Sequence, residues 1–353
     1  MNWSFVSARS FAEHLSEWAR LHASGAASPL LAADFVLPLL AHFARGDELL
    51  ATCRCGQHVV AMAVLSSEGR ARWQTFQPAQ APIGIWLQCP GTDTAMLAAA
   101  LVRALPGLNL VTAITQCDPE LVPRPADGGC VQTLNYIQTA RITIEGSFDA
   151  YWSTRGKNLR GNLKKQRARL ERDGIALRLE VIRDAESVGA AVADYGNLES
   201  TGWKAGGGTA VHADNAQGRF YKDMLEAFCR RGAGSIYRYW IGGQLAATDL
   251  CIEGADCIVV LKTTYDERVA GSLSPTLLMR EEETRELFDQ GRFKRIEFYG
   301  KVMEWHLRWT DEVRTLYHLN IYRWPALRGW HRKLQARAAR QSTCNGLTEQ
   351  ECT

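Results

Sequence analysis

The sequence predicts a mixed α/β protein made of two cored units, each a mixed, mostly antiparallel sheet flanked by helices. Three observations predict it. The chain has 353 residues, about twice the usual domain length, with 46% hydrophobic and 22% charged residues, an ordinary globular composition. Residues 1–145 read in the order helix, helix, hairpin, strand, helix, strand. Residues 175–327 read as a strand, two helices, a three-strand meander, a long loop, a helix and two strands.

The first unit begins with helical spacing at 10–24 (Phe11, Leu15, Trp18) and at 33–45 (Phe35, Leu39, Leu40, Phe43), with Ser10 and Asp34 expected as caps. Glu48 to Cys55 and His58 to Leu65 are β-like runs joined by Gly56-Gln57, which predicts a hairpin. A strand near Ile83 to Gln88, a helix from Thr92 to Leu105 capped by Asp93 or Thr92, a strand Asn109 to Thr115 and a strand pair around 132–144 follow.

Residues 146–174 differ in kind. Arg155, Lys157, Arg160, Lys164, Lys165, Arg167, Arg169 and Arg172 crowd one helical stretch, which Asp173-Gly174 closes. Its apolar stripe Tyr151, Leu159, Leu163, Leu170 suits packing between the units, and its charges suit either water or an anionic ligand.

In the second unit, strand Ile175 to Arg183 leads to a helix at 184–200, a Gly-rich loop from Gly202 to Ala213 and a helix at 216–231. The meander runs Ser235 to Ile241, Gln244 to Glu253 and Asp256 to Tyr265. After the loop Asp266 to Leu273, Ser274-Pro275 starts a helix that Gly291 ends, with Ser as cap and Pro at the first helical position. Strand Lys294 to Tyr299, a Trp-rich segment at 302–310 and strand Thr315 to Trp324 complete it, before a basic tail at 328–353.

Composition narrows the partners. Lys and Arg number 41 against 38 Asp and Glu, and a net charge of +3 does not by itself argue for nucleic acid or an anionic membrane. The ten cysteines are scattered, with no Cys-x-x-Cys and no His at zinc spacing, so no metal is expected. No export signal is seen at Met1 to Arg9, and the most apolar stretches carry Asp34, Pro38, Arg103 and Pro106, so no spanning helix is expected and the cytoplasm is the expected location.

The motif content of 149–324 is more specific. Arg160, Lys164, Arg167, Leu170 and Gly174 stand in the basic helix, Gly242-Gly243-Gln244-Leu245-Ala246 between strands, and Tyr265-Asp266 at the end of the meander. Ser274-Pro275, Gly291 and Ile296-Glu297-Phe298-Tyr299-Gly300 follow. In this order they resemble the CelD/BcsL-type acetyltransferases, a branch of the GNAT superfamily related to the Fem-type transferases. Thr276 stands where that family usually has Gly, and His306 where it usually has Lys. The resemblance implies two GNAT-like domains and a donor of acetyl-CoA or another acyl-CoA.

Such a site admits a thioester between two splayed strands and presents a loop and a helix start to the donor phosphates. Here these are Arg268, Gly271, Ser272, Ser274 and Thr276. Acyl transfer also needs a base, a proton for the thiolate and a donor to the oxyanion. Glu297 and Tyr299 share a strand face, and His306 and Tyr265 are the other catalytic candidates. Glu297 is otherwise an ion-pair partner of Lys262 or Arg295, and His306 a surface or capping residue. Trp203, Lys204, Asp249 and Trp305 are the expected substrate contacts, Asp249 because a carboxylate in an apolar strand needs a partner.

The leading expectation is an acyl-CoA-dependent N- or O-acyltransferase acting on a sugar, polysaccharide precursor or other small polar acceptor. A Fem-type enzyme using aminoacyl-tRNA, and a non-catalytic GNAT-fold binding protein, are the alternatives.

Overall fold

The computed structural model describes residues 1–25, 27–201, 211–212, 214–269 and 273–333. In chain order its elements are β1 (Asn2–Ser7), a 3-10 turn (Ala8–His14), α1 (Leu15–Ser24), α2 (Ala33–Phe43), β2 (Leu49–Cys55), β3 (His58–Ser67) and β4 (Arg72–Thr75). Next come β5 (Trp86–Gln88), α3 (Thr94–Ala104), β6 (Val111–Cys117), β7 (Val131–Thr143), α4 (Phe148–Thr154) and α5 (Lys157–Arg172). The second half supplies β8 (Leu177–Ile182), α6 (Ala185–Thr201), α7 (Ala216–Arg230), β9 (Gly234–Ile241), β10 (Gln244–Glu253) and β11 (Cys257–Tyr265). It ends with α8 (Pro275–Gln290), β12 (Arg295–Phe298), α9 (Glu304–Leu307) and β13 (Val313–Tyr322).

Local chemistry sets several boundaries. Asp93 accepts hydrogen bonds from the Ala95 and Met96 N–H groups and so starts α3. Pro275 opens α8, where its missing N–H is harmless, and Gly291 closes it with a φ of 60°. The caps expected at Ser10 and Asp34 are not used. Ser7 caps the first turn, and α2 begins after Ala32 with Asp34 in its first turn, paired to Arg231 at 2.8 Å.

All strands join one sheet, in the order β1-β2-β3-β4-β6-β13-β7-β12-β11-β10-β9-β8, with β5 on β3. The two halves repeat one pattern: three antiparallel pairings, then a parallel pair (β4 with β6, β11 with β12) bridged by a helix. The last strands are exchanged. β7 runs antiparallel to β12, β13 runs antiparallel to β6, and β7 and β13 pair with each other at the centre. The expected units 1–145 and 175–327 therefore each lend their last strand to the other.

Three other expectations are corrected. The strand pair near 132–144 is the single long strand β7, because each of its edges meets a strand from the other half. The basic helix is two helices, broken at Arg155-Gly156, where Arg155 is extended. Strands β1 and β4 were not anticipated.

Helices cover both faces. On one, α1, α2, α6 and α7 share a core that includes Trp18, Phe35, Tyr195, Phe220 and Phe228, continuous across both halves. On the other, α3 packs on the first half and α4, α5 and α8 on the second, where Leu159, Leu163 and Leu170 of α5 are buried with Leu278 and Leu287 of α8. The apolar stripe of the basic helix thus packs as its spacing predicts.

Candidate active site

Strands β11 and β12 pair from Cys257↔Arg295 to Val260↔Phe298 and then part, while β11 runs on to Tyr265. A cleft of about 510 Å³ lies beside this parting, lined by Thr263, Tyr265, Leu273, Ser274, Pro275, Thr276, Leu277, Arg280, Trp305 and Trp309. Its wall is the start of α8, whose partial positive charge faces incoming anions. The Ser274 side chain does not cap that helix. Gln166 of α5 clamps it instead, accepting from the Ser274 N–H at 2.8 Å and donating to Ser274 Oγ at 3.3 Å.

The buried base of the cleft is charged. Arg280 is 2% exposed and donates to Glu283 Oε2 at 2.6 Å, to Asp249 Oδ2 and to Thr263 Oγ1 at 3.5 Å. Its guanidinium carbon lies 5.2 Å from the Phe298 ring centre. Asp249 and Glu283 are fully buried, and Asp249 Oδ1 has no hydrogen-bond partner among the described residues. Burial pushes the Glu283 carboxyl well above the usual range, against the pull of Arg280 and with the push of Asp249. Trp309 is also buried, and its indole N–H has no acceptor among the described residues. The Trp309 carbonyl, by contrast, receives Tyr151 Oη at 2.6 Å and Arg155 Nη1 at 2.8 Å.

The expected site residues divide into groups. Tyr265, Ser274, Thr276 and Trp305 line the cleft together. Asp249 is reached only through Arg280, the partner that its burial requires. Arg268 forks onto Asp266, with Nε to Oδ1 at 3.0 Å and Nη2 to Oδ2 at 2.8 Å, and Asp266 also accepts the Arg268 N–H and Gln244 Nε2. These bonds, led by that from Arg268, hold the Asp266 carboxyl below its ordinary range and fix the turn after β11. Gly271, Ser272, Trp203 and Lys204 lie outside the described residues.

Glu297 and Tyr299 share a strand face as expected, but it is the wrong face for the cleft. Ile296 and Phe298 turn toward α8 and the cleft side, so alternation sends Tyr299 into the opposite core. There Tyr299 Oη donates to Asp118 Oδ2 at 2.9 Å, and Glu297 pairs with Arg314 at 2.8 Å and Arg295 at 3.4 Å. Arg314 also holds Asp118, at 2.8 Å. Burial raises Glu297 and Tyr299, with Arg314 opposing.

His306 is on the cleft side, stacked on Trp305 at 3.5 Å and edge-on to Phe298 at 5.4 Å. Its Nδ1 accepts the Met303 N–H at 3.0 Å, which leaves the proton of the neutral ring on Nε2. Burial and the charge of Arg280 lower its pKa to about 4. At neutral pH His306 is therefore a neutral capping residue and donor, without the neutral-range titration that its ordinary pKa predicts.

Sequence reasoning missed Thr263, Arg280, Glu283 and Trp309. A signal was present: Arg280 and Glu283 are three apart and fall on the helix face that also buries Leu287, which marks a buried ion pair.

Comparison with known proteins bears on the fold. Residues 157–307 match the family model described as an acetyltransferase (GNAT) domain. No curated protein matches. Among solved structures, the C-terminal domain of a putative lysylphosphatidylglycerol synthetase from Agrobacterium fabrum is 15% identical with a TM-score of 0.55, covering 88% of this chain and 92% of its own. FemX is 8% identical with a TM-score of 0.55, covering 92% and 98%. A Bacteroides thetaiotaomicron protein of unknown function is 10% identical with a TM-score of 0.54, covering 87% and 97%. At these identities the likeness is one of fold. Residues 157–307, in the second half of the chain, are thus similar to an acetyltransferase (GNAT) domain, a match that supports an acyltransferase.

Proposed function

We propose that this protein moves an acyl group, acetyl in the simplest case, from acyl-CoA to an amine or hydroxyl of a small polar acceptor. A sugar or polysaccharide precursor of the kind handled by the CelD/BcsL branch, met in the cytoplasm, is the acceptor class we favour. The observation that carries this reading is the cleft opened where β11 and β12 part, beside the start of α8. A thioester fits such a gap, and a helix start with hydroxyl side chains suits the phosphates that follow it. Ser274 and Thr276 take the phosphate role, with Arg268 at the preceding turn; Gly271 and Ser272 are assigned to it from the sequence alone. Tyr265, 38% exposed at the mouth, is placed to return a proton to the leaving thiolate. Glu297 and Tyr299 are better suited to holding the central strands than to chemistry. Among the described residues no cluster that could hold a metal is present. No helix among them is long and apolar enough to cross a membrane.

One observation favours a second reading, a Fem-type transfer from aminoacyl-tRNA. Trp152, Lys157, Arg160 and Lys164 line an open groove of about 710 Å³ along α5, and a basic groove with an aromatic side chain suits RNA. Arg167, by contrast, is committed to Glu281 and Glu282 of α8.

Thiol release from acetyl-CoA, followed over a panel of amino sugars, tests the first reading. Acceptor-dependent release is expected, with Tyr265→Phe slowing it about 10²-fold or more while CoA affinity holds. Absence of CoA binding, with salt-sensitive tRNA binding lost in Arg160→Gln/Lys164→Gln, would move the second reading to first place.

A further inference from the structure

Acyl transfer concentrates negative charge on one oxygen, and the groups lining the cleft are rich in donors. Arg280, Trp309, Thr263, Ser274, Thr276 and Tyr265 supply N–H or O–H groups, and no carboxylate is among the lining residues. Two of these donors are unusual. The guanidinium of Arg280 has five N–H groups, and its contacts to Glu283, Asp249 and Thr263 use three, leaving Nε–H and one Nη1–H without an acceptor among the described residues. The indole N–H of Trp309 is buried and has no partner among the described residues. A buried donor left without an acceptor is costly, so its retention in a cleft needs a reason.

Position supplies one. Arg280 bonds to Asp249 on β10 and Thr263 on β11 and lies over Phe298 of β12. Phe298 belongs to the last registered pair before the strands part, and Thr263 lies three residues beyond its partner Val260. The cation therefore sits at the apex of the wedge, where a thioester entering between the strands brings its carbonyl.

We propose that Arg280 and the indole N–H of Trp309 form the oxyanion-binding pair of this cleft, receiving the donor's carbonyl oxygen as it gains charge. The proposal rests on the donor-site reading above. The acceptor's amine or hydroxyl attacks the carbonyl carbon, and as that bond forms the carbonyl π pair moves onto the oxygen facing Arg280. When the pair returns, the carbon–sulfur bond breaks, and the thiolate takes up the proton that the acceptor releases. The products are the acylated acceptor and the CoA thiol.

Asp249 and Glu283 act as positioning residues, holding the guanidinium in one orientation before any substrate arrives. Such fixed donors in a dry site need no reorganisation during reaction, which is what makes them effective. Nε–H and the second Nη1–H, which these carboxyls and Thr263 do not take, are the groups left to meet the charge that develops on the substrate oxygen.

Infrared difference spectra of the full chain with acetyl-CoA isotope-labelled at its carbonyl carbon test this, alongside calorimetric titration with CoA. The bound carbonyl band should move to lower wavenumber than in free acetyl-CoA. Trp309→Phe, which keeps an aromatic ring but removes the N–H, and Arg280→Lys should each lose part of that shift. CoA itself should bind both variants within about twofold of wild type, because the pair contacts only the acyl oxygen. A full shift in Trp309→Phe, or in a folded Arg280→Lys, overturns the proposal. So does CoA binding with no carbonyl shift in wild type, which leaves the donor site standing. Failure of CoA to bind the wild-type protein overturns the donor-site reading itself.

Discussion

In the first half of the chain β4 stops at Thr75 and β5 takes its place beside β3, whereas in the second half β11 runs unbroken from Cys257 to Tyr265. The chain between β4 and β5 crosses to β6. Gly84 N–H donates to the Thr115 carbonyl at 3.0 Å, Thr115 N–H donates to Thr75 Oγ1 at 3.0 Å, and the two threonine hydroxyls bond at 2.7 Å. The place where β4 and β6 would part is thus closed by backbone. Its counterpart between β11 and β12 has no registered pair beyond Val260↔Phe298 and opens into the cleft. The same strand order gives an open cleft in one half and a packed seam in the other. What decides between them is whether the chain itself crosses the gap.

The exchanged strands make the largest prediction from that comparison. Arg314 on β13 holds Glu297 on β12 and Asp118 just after β6, so one half-buried cation ties both halves through two buried carboxylates. Arg314→Ala should cost about 3–5 kcal/mol in urea denaturation, since it leaves buried carboxylates uncompensated. The transition should remain single, because neither half closes its sheet alone. A loss below about 1 kcal/mol, or two separate transitions, would show that the halves are independent.

The closed seam comes next. A Cβ at Gly84 would lie 2.2 Å from Thr75 Oγ1 and 2.7 Å from the Thr115 carbonyl, while one at Gly300 meets nothing within 4 Å. Gly84→Ala should destabilise by about 1–3 kcal/mol, and Gly300→Ala should stay within about 0.5 kcal/mol of wild type. Equal effects would mean that the seam is looser than its contacts indicate.

The smallest effect concerns the open side. His306 has a pKa lowered from 6.5 to about 4 in the fold, so between these values the unfolded chain binds more protons. Its contribution to stability is fully present above pH 6.5 and is lost as the pH falls toward about 4. Stability curves of wild type and His306→Gln, measured over that window, should differ in slope, with the variant flatter. Parallel curves would place His306 in water.

Much of this fold was legible because the elements carry local signals. Asp93, Pro275, Gly291 and the meander turns lie where capping and turn chemistry put them. The strand exchange was not legible, since β7 and β13 read as ordinary strands and their partners are set by contacts far apart in sequence. The candidate cleft was half legible. Tyr265, Ser274, Thr276 and Trp305, singled out in the sequence, line it together, whereas Glu297 and Tyr299 face the other way. Two residues per repeat fix which side chains share a face, and only the packing of α8 fixes which face holds the cleft. Arg280 was overlooked because a lone Arg in a helix usually faces solvent.

The central claim is that one half alone takes the donor, and native mass spectrometry with CoA, followed by hydrogen exchange on the same complex, tests it most directly. One CoA per chain is predicted, with protection at Thr263 to Tyr265 and at 273–280 and none at 76–86. Two CoA molecules per chain, or protection centred on the Gly84 seam, would contradict it.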